Sequence, residues 1–414
     1  MTCPKCVTGC GRTDGDEARE ETPGRARETI TMNILALNAG SATLKYKLLA
    51  MPSVGAPGEA EAVLAEGTAE HSGQDSLVTA AEEVIAACRT QGIDALGHRV
   101  VHGGSAFSQP TRVTPEFLQG LRALQGLDPL HNPTETALME AGLRRLPDVP
   151  AVAVFDTAFH RTLPEVAWRY ALPGGVADPL PLRRYGFHGI SHRYVSERLL
   201  QCLGRDAAGT RLIVCHLGSG ASLCAVRDGI SVDTSMGLTP LEGLMMGTRS
   251  GDVDPGLVLY LLQVAGMTAQ GVDDLLNHQS GLLGVSGLSS DVRPLETAAQ
   301  GGDARAALAL EMFAYRACKY IGAYAAALGG LDGVAFTGGI GEHSPALRSR
   351  ICRTLAFLGV SLNMGRNAAA TQDKPTCISA DNAAVPVWVI PTDEERQIAR
   401  ETYGLLASAQ KAAA

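Results

Sequence analysis

One short device occurs twice in this chain, far apart, and it restricts what the chain can fold into. The first copy is the apolar run Asn33-Ile34-Leu35-Ala36-Leu37, then Asn38-Ala39-Gly40-Ser41-Ala42, then Thr43-Leu44-Lys45-Tyr46-Lys47-Leu48-Leu49. The second is Leu212-Ile213-Val214-Cys215, then His216-Leu217-Gly218-Ser219-Gly220, then Ala221-Ser222-Leu223-Cys224-Ala225-Val226. Apolar runs flanking a small glycine-containing turn read as a β-hairpin. Two copies separated by the length of a domain point to a duplicated fold, since a solenoid would repeat every ~20–50 residues. Such turns gather backbone N–H groups and hydroxyls around one point, a concavity that suits phosphate. A third glycine loop, Thr337-Gly338-Gly339-Ile340-Gly341-Glu342, follows the run Val334-Ala335-Phe336, and a helix is predicted after Ser344-Pro345. Each loop alone reads first as an ordinary turn; the three together favour a nucleotide cleft between two domains. Neither a G-x-x-x-x-G-K-[ST] loop nor a strand-borne G-x-G-x-x-G is present, which disfavours the P-loop and Rossmann readings.

The 414 residues leave room for two domains, and with 45% hydrophobic and 19% charged residues the chain can bury a large core. A net charge of -8 and only 5% aromatic residues argue against a nucleic-acid partner. No apolar run has the ~18 residues of a spanning helix, so no membrane partner is expected. Residues 1–31 are polar and lack the apolar core of a signal peptide, which makes a cytoplasmic location the expectation. Cys3, Cys6 and Cys10 lie there without a nearby fourth ligand, so a disordered extension is expected rather than a metal site, with Met32 as an alternative start. The seven remaining cysteines are scattered and read as reduced thiols.

The polar residues fall in dense clusters. Gly97-His98-Arg99-Val100-Val101-His102-Gly103-Gly104 holds one guanidinium and two imidazoles, and Asp128-Pro129-Leu130-His131-Asn132-Pro133 is a proline-pinned loop. Asp156 ends the apolar run Val152 to Phe155, where a carboxylate either faces a cleft or caps the next helix. Arg183 to His192 carries His188 between Gly186 and Gly189, ahead of a helix for which Ser191 is the predicted N-cap and Gly204 the predicted end. In Met246 to Asp254, Arg249 has two readings: a loop anchor paired with Asp252 or Asp254, or a bidentate partner for carboxylate and phosphoryl oxygens. Glu394 and Glu395 open the terminal helix, either as favourable charges on its dipole or as part of a magnesium site.

These clusters, in this order and spacing, resemble the acetate kinase family of short-chain carboxylate kinases, within the acetate and sugar kinase/heat-shock ATPase/actin superfamily. The carriers are NAGSATLK (38–45), GHRVVHGG (97–104), PLHNP (129–133), FDTAFH (155–160), RRYGFHGISH (183–192), HLGSGAS (216–222), DTSMGLTPLEGLMMGTRSGDVDP (233–255), FTGGIGE (336–342) and IPTDEE (390–395). The resemblance implies an α/β fold of two duplicated actin-like (ribonuclease H-like) domains with a nucleotide cleft between them. The expected limits are an extension 1–31, a first domain 32–158 completed by 392–414, and a second domain 159–391. A homodimer is also implied.

By position, the resemblance makes Asn38 and Glu394 the magnesium residues, with Mn2+ as a substitute metal, and Lys45 a nucleotide contact. Arg99 and Arg249 would hold the carboxylate and the phosphoryl group, and His188 would stabilise the transition state. Asp156 matches an acid with a proton or positioning role, and is expected to orient Mg2+ or the arginines, since an ionised carboxylate substrate needs no base. Val101, Leu130, Phe187 and Pro240 would line the methyl pocket. Three segments would bind ATP or ADP: His216-Leu217-Gly218-Ser219-Gly220, Asp291-Val292-Arg293 and Gly339-Ile340-Gly341-Glu342-His343. The implied reaction converts acetate and ATP to acetyl phosphate and ADP; propionate is the nearest alternative acceptor, and a non-catalytic nucleotide-binding module the alternative of another class. Four positions depart from the family pattern: Ala42, Ile190, Ser219 and His343. Of these, Ile190 cannot donate a hydrogen bond.

Overall fold

In the computed structural model, residues 31–40, 42–52, 61–126, 132–371 and 373–413 are described. The expectations for Cys3, Cys6, Cys10, Ser41 and Leu130 lie outside the described residues. Both hairpins form. Strand β1 (Met32–Ala39) pairs antiparallel with β2 (Thr43–Met51), and the turn closes with the Gly40 amide donating to the Thr43 carbonyl at 2.8 Å. Strands β7 (Arg211–Leu217) and β8 (Ala221–Arg227) repeat the arrangement, closed by the Gly218 amide on the Gly220 carbonyl at 3.0 Å.

The duplication extends to whole sheets. The first adds β3 (Ala62–Glu70), β4 (Ala95–Val100), β5 (Thr111–Arg112) and β6 (Ala151–Phe155), in the order β3-β2-β1-β4-β6-β5. The second adds β9 (Ile230–Thr234), β10 (Gly333–Thr337), β11 (Thr376–Cys377) and β12 (Val387–Val389), in the order β11-β12-β10-β7-β8-β9. Read from the meander side, the two orders coincide. In each, three antiparallel strands are followed by two parallel ones and a short antiparallel edge.

Alternation along the central strands explains the layers. Leu35 and Leu37 pack beneath the helices Gln74–Cys88 and Asn132–Arg145, whereas Ile34 and Ala36 meet Ile398 and Ala399 of the terminal helix Glu394–Ala413. In the second sheet Ile213 and Cys215 face the long helix Ala304–Leu328, and Leu212 and Val214 face the helix Gly189–Leu203. Strands covered on both faces read as continuous apolar runs, which is how these appear in the sequence. The two inner helices lie against each other, bridged by Arg193 Nη1 to Glu401 Oε1 at 2.9 Å. Among the described residues no helix is long and apolar enough to cross a membrane.

Two local expectations need correction. The helix expected to be capped by Ser191 starts at Gly189, with His188 in its cap position at φ 56°. The Gly189 amide donates to the Asp156 carbonyl at 2.9 Å, and a Cβ there would stand 2.0 Å from that oxygen, so a long-range contact sets the start. Gly204, at φ 60°, closes the helix as expected. The segment Gly338–His343 forms a short helix of its own before the expected Pro345–Cys352 helix, which Ser344 caps through the Leu347 amide.

His98, on β4, is fully buried with both ring nitrogens lacking a hydrogen-bond partner, and burial pushes its pKa down to about 4. An unfolded histidine titrates near 6.5, so between these values the unfolded chain binds more protons and stability rises with pH. The contribution is complete above pH ~6.5 and is lost toward pH ~4, about 3 kcal/mol in all. Urea midpoints are therefore expected to fall between pH 7 and pH 5, and to fall less in His98→Leu. An equal fall in the variant would remove His98 as the cause.

Candidate active site

The clusters singled out in the sequence meet where the two turns, the end of β10 and the start of the terminal helix converge. Arg99, one residue before the end of β4, turns away from the core that holds His98. Its Nη2 lies 2.6 Å from Asp156 Oδ2, its Nε 3.2 Å from the same oxygen, and its Nη1 donates to the Ala39 carbonyl at 3.0 Å. Asp156 follows β6 directly, with its amide on the Val100 carbonyl. No capping bond forms at the turn Ala158–Thr162, so the helix-cap reading of Asp156 falls and the carboxylate serves Arg99. Burial opposes the Arg99 charge, but Asp156 and Glu394 outweigh it and hold the guanidinium protonated. Burial pushes the Asp156 carboxyl up, against the pull of Arg99.

Asn38 Nδ2 donates to Glu394 Oε2 at 2.9 Å and to Glu395 Oε1 at 2.7 Å, joining the first turn to the terminal helix. Burial raises the Glu395 carboxyl, and the neighbouring Glu394 charge raises it further. Among the described residues no three His, Cys, Asp or Glu side chains form a self-sufficient metal cage. Two adjacent half-buried carboxylates beside an amide oxygen suit a hard cation such as Mg2+, which takes one or two carboxylates and completes its shell with phosphates and water.

A cavity of about 450 Å³ opens over these groups, lined also by Lys45, His216, Gly338, Gly339, His343 and Thr392. Beside it lies a second, of about 530 Å³, lined by Gly218, Ser219, Asp291, Val292, Arg293, Gly339, Ile340 and His343. Gly339 and His343 border both. The residues expected to bind nucleotide thus divide into a charged compartment and a less polar one.

Three of them have structural parts as well, although Glu342 also lines the first cavity. Glu342 Oε1 accepts from Thr337 Oγ1 at 3.2 Å and from the amides of Gly338 at 2.9 Å and Thr392 at 3.2 Å, bracing the loop. Leu217 is wholly buried in the core at the end of β7, and Gly341 is buried against β10.

His188 and Arg249 close the site from the second sheet. His188 Nδ1 is 2.9 Å from Ser222 Oγ, and its ring stacks on His216 at 4.3 Å. A Cβ at Gly220 would stand 3.4 Å from His188 Nε2 and 3.5 Å from Arg249 Nη1, so both groups overhang the glycine of the second turn. Burial drives the His188 pKa well down, and the nearby His216, His192, Arg99 and Arg249 add to it, leaving the ring neutral. Arg249 Nη1 donates to the Pro240 carbonyl at 3.2 Å. Asp252 serves the Gly243 amide and Tyr320, and Asp254 caps the helix Pro255–Gln263.

Val101 and Phe187 are buried in one cluster. The Val101 amide is gripped by Glu135, at 3.1 and 3.2 Å to its two carboxyl oxygens. Glu135, Thr392 and Ser222 are given no role by the sequence, whereas Glu395 is read there beside Glu394 as one of the two acids that open the terminal helix. Ile190 is buried with Ile34, Ala36 and Val154, so its side chain serves packing and needs no donor.

Comparison with known proteins agrees with this architecture. The family model described as the acetokinase family matches residues 56–400. Acetate kinase from Phocaeicola vulgatus is 45% identical over 398 residues, covering 91% of this chain and 100% of that protein. The crystal structure of Porphyromonas gingivalis acetate kinase superposes with a TM-score of 0.81 at 41% identity, covering 91% of this chain and 100% of that one. A propionate kinase from Francisella tularensis superposes with a TM-score of 0.79 at 36% identity, covering 90% and 99%. A family model matched over most of the chain and relatives of this identity and coverage show that the chain belongs to the acetokinase family.

Proposed function

We propose that this chain transfers the γ-phosphoryl group of Mg-ATP reversibly to acetate by direct in-line displacement, giving acetyl phosphate and ADP. The observation that carries this reading is the convergence of His188 Nε2 and Arg249 Nη1 over Gly220, beside a cavity that joins both sheets. Phosphoryl transfer depends on positioning and on neutralising charge, and the site is built of groups that do both.

A carboxylic acid with a pKa of about 4–5 is ionised at pH 7, so its oxygen attacks phosphorus with no base required. The bond from that oxygen to phosphorus forms as the bond to the β-phosphate oxygen breaks. Arg99 and Arg249 hold the carboxylate and the phosphoryl oxygens, and His188 donates to an equatorial oxygen in transit. Asp156 orients Arg99 through the 2.6 Å ion pair and takes no proton from substrate. Asn38 and Glu394 would hold Mg2+, or Mn2+ in its place, which offsets charge on the ATP phosphates. Lys45 and His216 line the phosphate side, while Ser219, Asp291, Arg293 and Ile340 border the compartment for base and ribose. Val101, Phe187 and Pro240 are assigned to the methyl pocket.

The first domain is assigned residues 32–158 with 392–414 and the second 159–391, hinged near Asp156 and Pro391 and closing on ligands. A cytoplasmic homodimer completes the reading. It is supported by free thiols at all seven described cysteines and by the helix Pro255–Gln263, which buries no residue and exposes Leu257, Leu259 and Tyr260.

The test is ADP release from Mg-ATP without acid and then with acetate, propionate and butyrate, on protein sized by light scattering. Acetate is expected to give the highest kcat/KM, from a particle of twice the chain mass. Val101→Ala is expected to raise propionate relative to acetate by about 10-fold, the scale of one methylene. Equal or better use of propionate by the unaltered protein would overturn acetate as the substrate, and acid-independent release would overturn the kinase reading.

A further inference from the structure

His188 approaches the transferring group through Nε2, and it donates a hydrogen bond there only if that nitrogen carries the ring's single proton. A neutral imidazole has one N–H and one lone pair, and the partner of one nitrogen decides the state of the other. The partner of Nδ1 is Ser222 Oγ at 2.9 Å. The same hydroxyl lies 2.7 Å from His192 Nε2. Ser222 and His192 are both fully buried, so water does not enter the count.

Both rings donating to the hydroxyl would strand its buried proton, since the two ring nitrogens are its hydrogen-bond partners, so one of them accepts that proton and two arrangements are left. In the first, His192 Nε2–H donates to Ser222, and Ser222 donates to His188 Nδ1. The His188 proton then sits on Nε2, and His192 Nδ1 is a bare lone pair. In the second every donor reverses: His188 Nε2 turns a lone pair toward an anionic substrate, and His192 carries its proton on Nδ1. His192 Nδ1 is buried without a hydrogen-bond partner. An orphaned buried N–H is rarer and costlier than an under-used acceptor. The unpartnered His192 nitrogen and the anionic ligand facing His188 select the first arrangement independently.

We propose that Ser222, held in direction by His192, is a positioning residue that fixes His188 as the Nε2–H tautomer. This rests on the reading of His188 as a donor to the transferring phosphoryl group. Burial and surrounding positive charge keep His188 neutral, so the tautomer rather than protonation sets whether it donates.

Long-range 1H–15N spectra of 15N-histidine-labelled protein, with His188 assigned from a His188→Ala sample, report the tautomer directly. The expected result is Nε2–H in the unaltered protein and a mixed or Nδ1–H ring in Ser222→Ala. With it, kcat should fall about 10–100-fold at little-changed KM, as when an orienting partner is removed. Ser222→Thr keeps the hydroxyl and should restore both readouts. Should either Ser222 variant fail to fold, His192 decides: His192→Gln retains a donor to Ser222 and keeps the tautomer, and His192→Leu loses it. Nδ1–H in the unaltered protein, or Ser222→Ala with unchanged tautomer and kcat, would overturn the proposal. Undiminished kcat in His188→Ala would overturn the role of His188 on which it rests, and the tautomer spectrum keeps that failure distinct.

Discussion

Arg249→Ala is expected to lower kcat by about 10²–10³, or ~2.7–4 kcal/mol of transition-state stabilisation, the scale of one preorganised donor facing developing charge. Its Nη1 is fixed by the Pro240 carbonyl at 3.2 Å and overhangs Gly220 beside His188, so little reorganisation is required when charge develops. The nearby acids Asp252 and Asp254 are committed to Tyr320, the Gly243 amide and a helix cap. Steady-state kinetics with acetate and Mg-ATP would decide the matter, with circular dichroism to establish that the variant is folded. Near-normal kcat in folded Arg249→Ala would remove Arg249 from the reaction.

Asp156→Ala is expected to act first on stability. The Asp156 side chain is 2% exposed and its partner Arg99 15%, so the pair is desolvated on both sides. Among the described residues, removing the acid leaves the guanidinium in the cleft with the Ala39 carbonyl at 3.0 Å and Asn38 at 3.5 Å as its hydrogen-bond acceptors. Breaking a buried pair from one side costs about 3–5 kcal/mol. Urea unfolding should show a loss of that size, and Asp156→Asn, which keeps the shape facing Arg99, should lose less. A midpoint for Asp156→Ala within ~1 kcal/mol of the unaltered protein would mean that the ion pair contributes little.

How much of this was legible beforehand depends on the range of the interaction. The hairpins were readable because alternation and a glycine turn act within a few residues. Their appearance in two equivalent sheets is the structural consequence of that repeat. Gly204 as a helix end and a helix starting after Ser344-Pro345 were readable for the same reason. Ser191 failed as a cap because the Asp156 carbonyl, distant in sequence, receives the Gly189 amide and starts the helix earlier. Glu342 lines the cavity in a loop expected to bind nucleotide, but that one of its carboxylate oxygens also braces Thr337, Gly338 and Thr392 has no local signal. No local pattern marks Glu135 as the acid that grips the Val101 amide.

By itself the sequence determined the two glycine turns, the apolar strands and the residue types gathered at their ends, because propensity, turn chemistry and alternation are local. The family resemblance added the roles expected of those residues. Only the tertiary structure decided which of them meet. It joined Arg99 to Asp156, Asn38 to Glu394, and His188 to Ser222 and His192. Those contacts depend on two sheets and two facing helices being in place, and directional bonds of about 3 Å between groups far apart in the chain leave no periodic trace in it.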